Sequence, residues 1–165
     1  MESNLSFESR IQTLGRALRD SEYTLAVAES CTGGLLGAAI TSVSGSSRYF
    51  RGGIIAYSNE IKHDLLGIPT ATLDRFGAVS EETVKAMLNG VARLFSVQCA
   101  AAVSGIAGPG GGTEEKPVGL VYYGTRVGGK IRVERQIFTG DRNSVRNQAT
   151  EAILSQLIDE LPAHK

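Results

Sequence analysis

Two uninterrupted apolar runs, Leu25-Ala26-Val27-Ala28 and Cys99-Ala100-Ala101-Ala102-Val103, constrain this chain more than any other feature. Each is too short for an ordinary helix and offers no polar side chain to a wet face, so each reads as a strand buried within a sheet. Gly52-Gly53-Ile54-Ile55-Ala56-Tyr57 predicts a further strand. Val118–Val127 and Ile131–Phe138 flank Gly128-Gly129, the signature of a hairpin.

Helical spacing fills the intervals. Leu5, Ile11, Leu14, Ala17 and Leu18 mark a helix over 5–22, and Leu35 to Ile40 begin another. Ser58 or Asn59 can cap a short helix carrying Lys62, Leu65 and Leu66, which Gly67-Ile68-Pro69 ends. Ser80-Glu81-Glu82-Thr83 opens a helix with an apolar stripe of Val84, Met87, Leu88, Val91 and Leu94. Gly140-Asp141 starts the last, with Val145, Ala149, Ile153 and Leu157 at spacing four. Helices alternate with strands, and one hairpin breaks the alternation. The expected fold is therefore an α/β domain of three layers with a mixed sheet. At 165 residues, without linker or repeat, one domain over 1–165 is expected. In open α/β sheets ligands bind beyond the strand C-termini. Strands ending near Glu29, Tyr57 and Ser104 would deliver their loops to one such edge.

Composition removes several classes of function. Lys plus Arg and Asp plus Glu both number 17, so formal net charge is zero and nothing favours a phosphate-driven nucleic-acid partner. No apolar run is long enough to cross a membrane, and the polar stretch Met1 to Arg10 has no signal core. The two cysteines, Cys31 and Cys99, are too few for a disulfide scaffold, so a cytoplasmic, reduced protein is expected. His63 and His164 stand far apart, and no CxxC or HExxH pattern predicts a metal; no cofactor is expected either.

Candidate chemistry gathers at the strand ends. Ser30, between a buried strand and a glycine-flanked helix start, is either a helix cap or a nucleophile. The amides of Cys31, Thr32, Gly33 and Gly34 would face its oxygen and form an oxyanion site. Cys31 is a rival nucleophile, since helix N-termini lower thiol pKa values, or simply a small buried residue. Lys62 and His63 are the candidate bases. A lysine serves only when neutral, which burial or cationic neighbours bring about; otherwise it is a solvated surface residue. Tyr57, closing its strand, either places its hydroxyl in the site or half-buries it in the sheet. Ser104-Gly105-Ile106-Ala107-Gly108 opens a glycine-rich loop running to Thr113, suited to cradling an anion by its backbone, although it is neither a Walker A nor a dinucleotide loop. The tail Lys116-Pro117-Val118-Gly119 argues against a merely mobile loop. Arg142 and Arg146 share one helical face and suit phosphate contacts, or a solvated surface.

AESCTGG at 28–34, GSS at 45–47, YSNEIK at 57–62, GAVSEE at 77–82, SGIAGPGGG at 104–112, KPVG at 116–119 and GDRNSVR at 140–146 occur in one order. Together they resemble the CinA C-terminal domain family, and most closely its stand-alone nicotinamide-nucleotide amidases, over about residues 5 to 160. Cys99 stands where that family often has an acidic residue, and Ser104 where it also has threonine. The resemblance implies a three-layer α/β/α fold with a mixed, mostly parallel five-stranded sheet, anticodon-binding-domain-like. It implies hydrolysis of the carboxamide of nicotinamide mononucleotide to nicotinate mononucleotide and ammonia, without metal, in a homodimer. It also implies Ser30 as nucleophile, Lys62 as base and Tyr57 beside them, with the proton passing to Lys62 directly or through Tyr57. Ser104 to Gly108 and Arg142 would then hold the ribose phosphate. The rival reading is a non-catalytic nucleotide-binding or interaction module linked to DNA uptake or damage.

Overall fold

The computed structural model describes residues 6–162, so Leu5 and His164 lie outside the described residues. The elements run α1 (Phe7–Asp20), β1 (Leu25–Glu29), α2 (Leu35–Thr41), a 3-10 turn at Ser46–Arg48, β2 (Phe50–Ile55), α3 (Asn59–Leu66), α4 (Thr70–Phe76), α5 (Glu81–Phe95), β3 (Cys99–Gly105), β4 (Leu120–Val127), β5 (Lys130–Ile137) and α6 (Arg142–Glu160). They form the expected three-layer α/β arrangement around one five-stranded mixed sheet of order β2-β1-β3-β4-β5. β1 pairs parallel with β2 and β3, whereas β3–β4 and β4–β5 are antiparallel. Only β4 therefore runs against the rest.

The two apolar runs behave as strands buried on both faces. Leu25 and Val27 of β1, with Cys99, Ala101 and Val103 of β3, pack against Ile11, Leu14 and Leu18 of α1, Leu36 and Ile40 of α2, and Ile153 and Leu157 of α6. The intervening Ala26, Ala28, Ala100 and Ala102 meet Leu66 of α3, Leu73 of α4 and Val84, Met87, Leu88 and Val91 of α5. Alternation across the pleat puts the larger Leu25, Val27 and Val103 on one face, whereas β1 and β3 offer only alanines to the other. The α5 layer accordingly packs on a surface of small side chains. Gly90 in α5 serves the same close packing, because a Cβ there would stand 2.1 Å from the Leu66 carbonyl oxygen.

The course of β2 and one helix differ from expectation. β2 covers Phe50–Ile55, not 52–57, and its register against β1 is irregular between Leu25 and Ala26. Gly52, at φ 135°, takes a conformation that other residues rarely adopt. Tyr57 consequently lies beyond the strand. Thr70–Phe76 forms a helix that the sequence reading did not contain; it buries only Leu73, so it shows no stripe. α2 begins at Leu35, as expected, after a turn that follows Ser30.

The parallel ladder aligns the strand ends. Glu29 stands opposite Ile55 of β2 and Val103 of β3. The chain after each of these strands therefore leaves the sheet at the same edge.

Candidate active site

Ser30 prolongs β1 by one residue, its amide donating to the Val103 carbonyl at 3.1 Å. The next residues form a tight turn, closed by the Gly33 amide on the Ser30 carbonyl at 3.1 Å. Two ionic side chains hold this turn. The buried Glu29 carboxylate accepts from the Thr32 hydroxyl at 2.6 Å and from the amides of Gly34, Leu36 and Gly37 at 3.2, 2.9 and 3.0 Å. It caps α2, whose N-cap residue Gly34 has no side chain to do so. Arg146 of α6 donates to the carbonyls of Cys31 at 3.1 Å and Thr32 at 3.0 Å. Neither device was foreseen. Glu29 reads as the end of a strand, and Arg146 as a phosphate contact or a solvated surface residue.

This geometry corrects part of the expected oxyanion site. The Gly33 and Gly34 amides are engaged inside the turn, and the positive end of α2 is met by Glu29 rather than aimed at Ser30. Ser30 is not a helix cap either.

Its Oγ accepts instead from the Lys62 Nζ at 3.1 Å. Ser58 caps α3 by accepting from the Ile61 amide, which sets Lys62 on the inward face of the helix one turn before Leu66. Lys62 is 1% exposed, and its Nζ also donates to the carbonyls of Ala56 at 2.8 Å and Tyr57 at 3.2 Å. No carboxylate forms an ion pair with it among the described residues. Burial therefore lowers the lysine below its ordinary pKa, and the weaker opposing pull would come from a Cys31 thiolate. That thiolate is absent at neutral pH, because burial pushes the Cys31 thiol up to about 11 against the weaker downward effects of its own amide, Arg146 and Lys62. Of the two readings of Cys31, burial favours the small buried residue over the reactive thiol.

His63, the other candidate base, pairs its Nδ1 with the Ile68 carbonyl at 2.8 Å. The Tyr57 side chain is 60% exposed, and its hydroxyl accepts from Arg142 at 3.2 Å. Tyr57 contributes its carbonyl to Lys62; the direct contact between Lys62 and Ser30 removes the need for a relay through its hydroxyl. Arg142 also donates to the Gly108 carbonyl at 2.8 Å and so ties the glycine-rich loop to Tyr57.

The loop is anchored rather than mobile. The Ile106 amide bonds the Leu120 carbonyl at 2.8 Å, and the Gly119 amide bonds Ile106 at 2.7 Å. Val118 lies so close beneath it that a Cβ on Gly108 would come within 2.5 Å of its Cγ1. A cleft of about 270 Å³ opens here, bringing together Ser30, Cys31, Tyr57, Lys62, Ser104 to Gly108 and Arg142. Ala78 and Val79, from the GAVSEE stretch to which no role was given, also line it. Its lining carries the basic side chains Lys62 and Arg142 and no acidic side chain among the described residues. No group of three or more His, Cys, Asp or Glu side chains suited to a metal occurs among the described residues. No helix among them is long and apolar enough to cross a membrane.

The chain matches the CinA C-terminal domain over residues 8–161. It is 48% identical over 141 residues to a CinA-like protein of Leptospira biflexa, covering 85% of this chain and 34% of that protein. It is 47% identical over 149 residues to a putative competence-damage inducible protein of Moorella thermoacetica, covering 90% of this chain and 36% of that protein. The chain thus spans about a third of the length of these curated relatives. Among solved structures, the CinA superfamily protein of Enterobacter cloacae superposes with TM-score 0.93 at 31% identity, covering 98% of this chain and 96% of that one. The competence/damage inducible protein CihA of Agrobacterium tumefaciens gives TM-score 0.90 at 37% identity, covering 93% and 94%. Sequence match and superposition agree over nearly the whole chain, which belongs to the CinA C-terminal domain family.

Proposed function

We propose that this chain is an amidase that hydrolyses the carboxamide of nicotinamide mononucleotide to nicotinate mononucleotide and ammonia. The observation that carries the reading is the 3.1 Å contact between Lys62 Nζ and Ser30 Oγ, with the lysine buried and its pKa lowered. Neutral Lys62 takes the Ser30 proton as Oγ attacks the carboxamide carbon. Cys31, which lines the cleft beside Ser30, offers its amide to the oxygen of the tetrahedral intermediate. Lys62 returns the proton to the leaving nitrogen, the C–N bond breaks and ammonia departs. Water, activated by the same amine, then splits the acyl-enzyme to carboxylate and restores Ser30.

The Arg142 guanidinium at the cleft and the anchored glycine-rich loop favour an anionic substrate. The choice of nicotinamide mononucleotide rests on the motif resemblance. The homodimer is a proposal on the same ground, and the cytoplasmic location is a proposal that rests on the two cysteines.

Ammonia release from nicotinamide mononucleotide by the purified protein tests the reading. Release is expected, and Ser30→Ala and Lys62→Met should each reduce it at least ~10³-fold. The name of the Moorella thermoacetica relative concerns competence and damage, and a non-catalytic nucleotide-binding module is the alternative reading. Nucleotide binding without ammonia release would favour that alternative.

A further inference from the structure

One basic side chain beside the cleft is not used by the chemistry above. Lys116 belongs to the segment that follows the glycine-rich loop. The Thr113 amide donates to the Lys116 carbonyl at 2.8 Å, and the Lys116 amide donates back to the Thr113 hydroxyl at 3.0 Å. This closed turn leads into Val118, on which the loop rests: a Cβ on Gly108 would meet its Cγ1 at 2.5 Å, and one on Gly112 its amide nitrogen at 2.7 Å.

From that turn the Lys116 Nζ reaches the Phe76 carbonyl, 2.7 Å away at the C-terminal end of α4. The last carbonyls of a helix lack partners within it and attract cations. The following carbonyl, of Gly77, is held by the Ser80 hydroxyl at 2.9 Å and the Thr83 hydroxyl at 2.7 Å. Two successive carbonyls are therefore fixed just before Ala78 and Val79, which line the cleft. One is fixed from α5 and its cap; the other is fixed from the segment beneath the glycine-rich loop. Lys116 is the hydrogen-bonded link between these two cleft-lining segments.

We propose that Lys116 is a positioning residue that sets the spacing between the 77–79 segment and the glycine-rich loop, and with it the fit of the substrate. This rests on the amidase reading. It predicts an effect on substrate capture that leaves the reacting groups untouched, since Lys116 meets neither Ser30 nor Lys62.

The test compares wild-type protein with Lys116→Met and Lys116→Arg by ammonia release from nicotinamide mononucleotide, by peptide-resolved hydrogen exchange and by thermal melting. Lys116→Met should raise KM about tenfold with kcat within about twofold of wild type, and should speed exchange in 77–80. Lys116→Arg, which can still donate to the Phe76 carbonyl, should recover most of both effects. Unchanged KM and unchanged exchange in Lys116→Met would overturn the proposal. So would a loss of kcat accompanied by a lower melting temperature and faster exchange throughout the chain. Absence of release by the wild-type protein instead overturns the amidase reading, and the substrate-fitting role falls with it.

Discussion

Lys62 Nζ lies 3.1 Å from Ser30 Oγ, and its other acceptors are the carbonyls of Ala56 and Tyr57. The amine thus sits among neutral dipoles without a counter-charge. Burial penalises its charged form, and the folded pKa falls below the ordinary 10.5. Between those two values the unfolded chain binds a proton that the folded chain does not. Stability therefore rises with pH across this window, while below the folded pKa the cost of burying the charge is felt in full. The melting temperature of wild type relative to Lys62→Met should climb as pH is raised toward 10. The rate kcat/KM should rise with pH, with a midpoint below the ordinary lysine value. A flat melting difference would contradict the shift.

The thiols should be inert in the folded protein. Burial raises Cys31 to about 11 and Cys99 to about 12. Both should resist a thiol reagent at pH 8 and react on unfolding, as counted by mass spectrometry. Cys31→Ala should keep at least about half of wild-type kcat, whereas a thiol nucleophile would lose nearly all of it.

Arg142 and Arg146 share a helical face but should separate kinetically. Arg146 holds the carbonyls of Cys31 and Thr32, whereas Arg142 bridges Gly108 and Tyr57 at the cleft. Arg146→Ala should lower kcat about 10- to 100-fold with little change in KM, since it loosens the nucleophile's turn. Arg142→Ala should mainly raise KM. Steady-state kinetics of the pair would expose a reversed assignment.

Glu29→Gln should cost about 2–4 kcal/mol of stability, because an amide cannot replace a buried carboxylate that accepts four hydrogen bonds. Urea unfolding measures this. A change below about 0.5 kcal/mol would mean that the capping contacts contribute little.

The layers were legible because Leu25–Ala28 and Cys99–Val103 carry their burial in their composition. The common edge followed from where those runs end, and Ser30, Lys62 and the 104–108 loop were nominated from it. Other features rest on contacts between residues distant in sequence. Nothing near Glu29 says that it caps a helix starting six residues later, and nothing near Lys116 points to Phe76. Tyr57 was misplaced because β2 begins at Phe50 and ends at Ile55, two residues earlier at each end than the apolar run suggests. Cys31 is the small buried residue that one of its two readings had it to be, because burial outweighs the effect of a helix terminus on its thiol.

The β4–β5 hairpin has a practical consequence. Val127 is paired with Cys99, at the start of β3, so the Gly128-Gly129 turn lies a full strand length from the cleft at the strand's other end. About 20 Å of sheet separates the two. That turn is the natural place to graft a fluorophore or an affinity tag: a handle there can report on the molecule while the catalytic edge faces its substrate unencumbered.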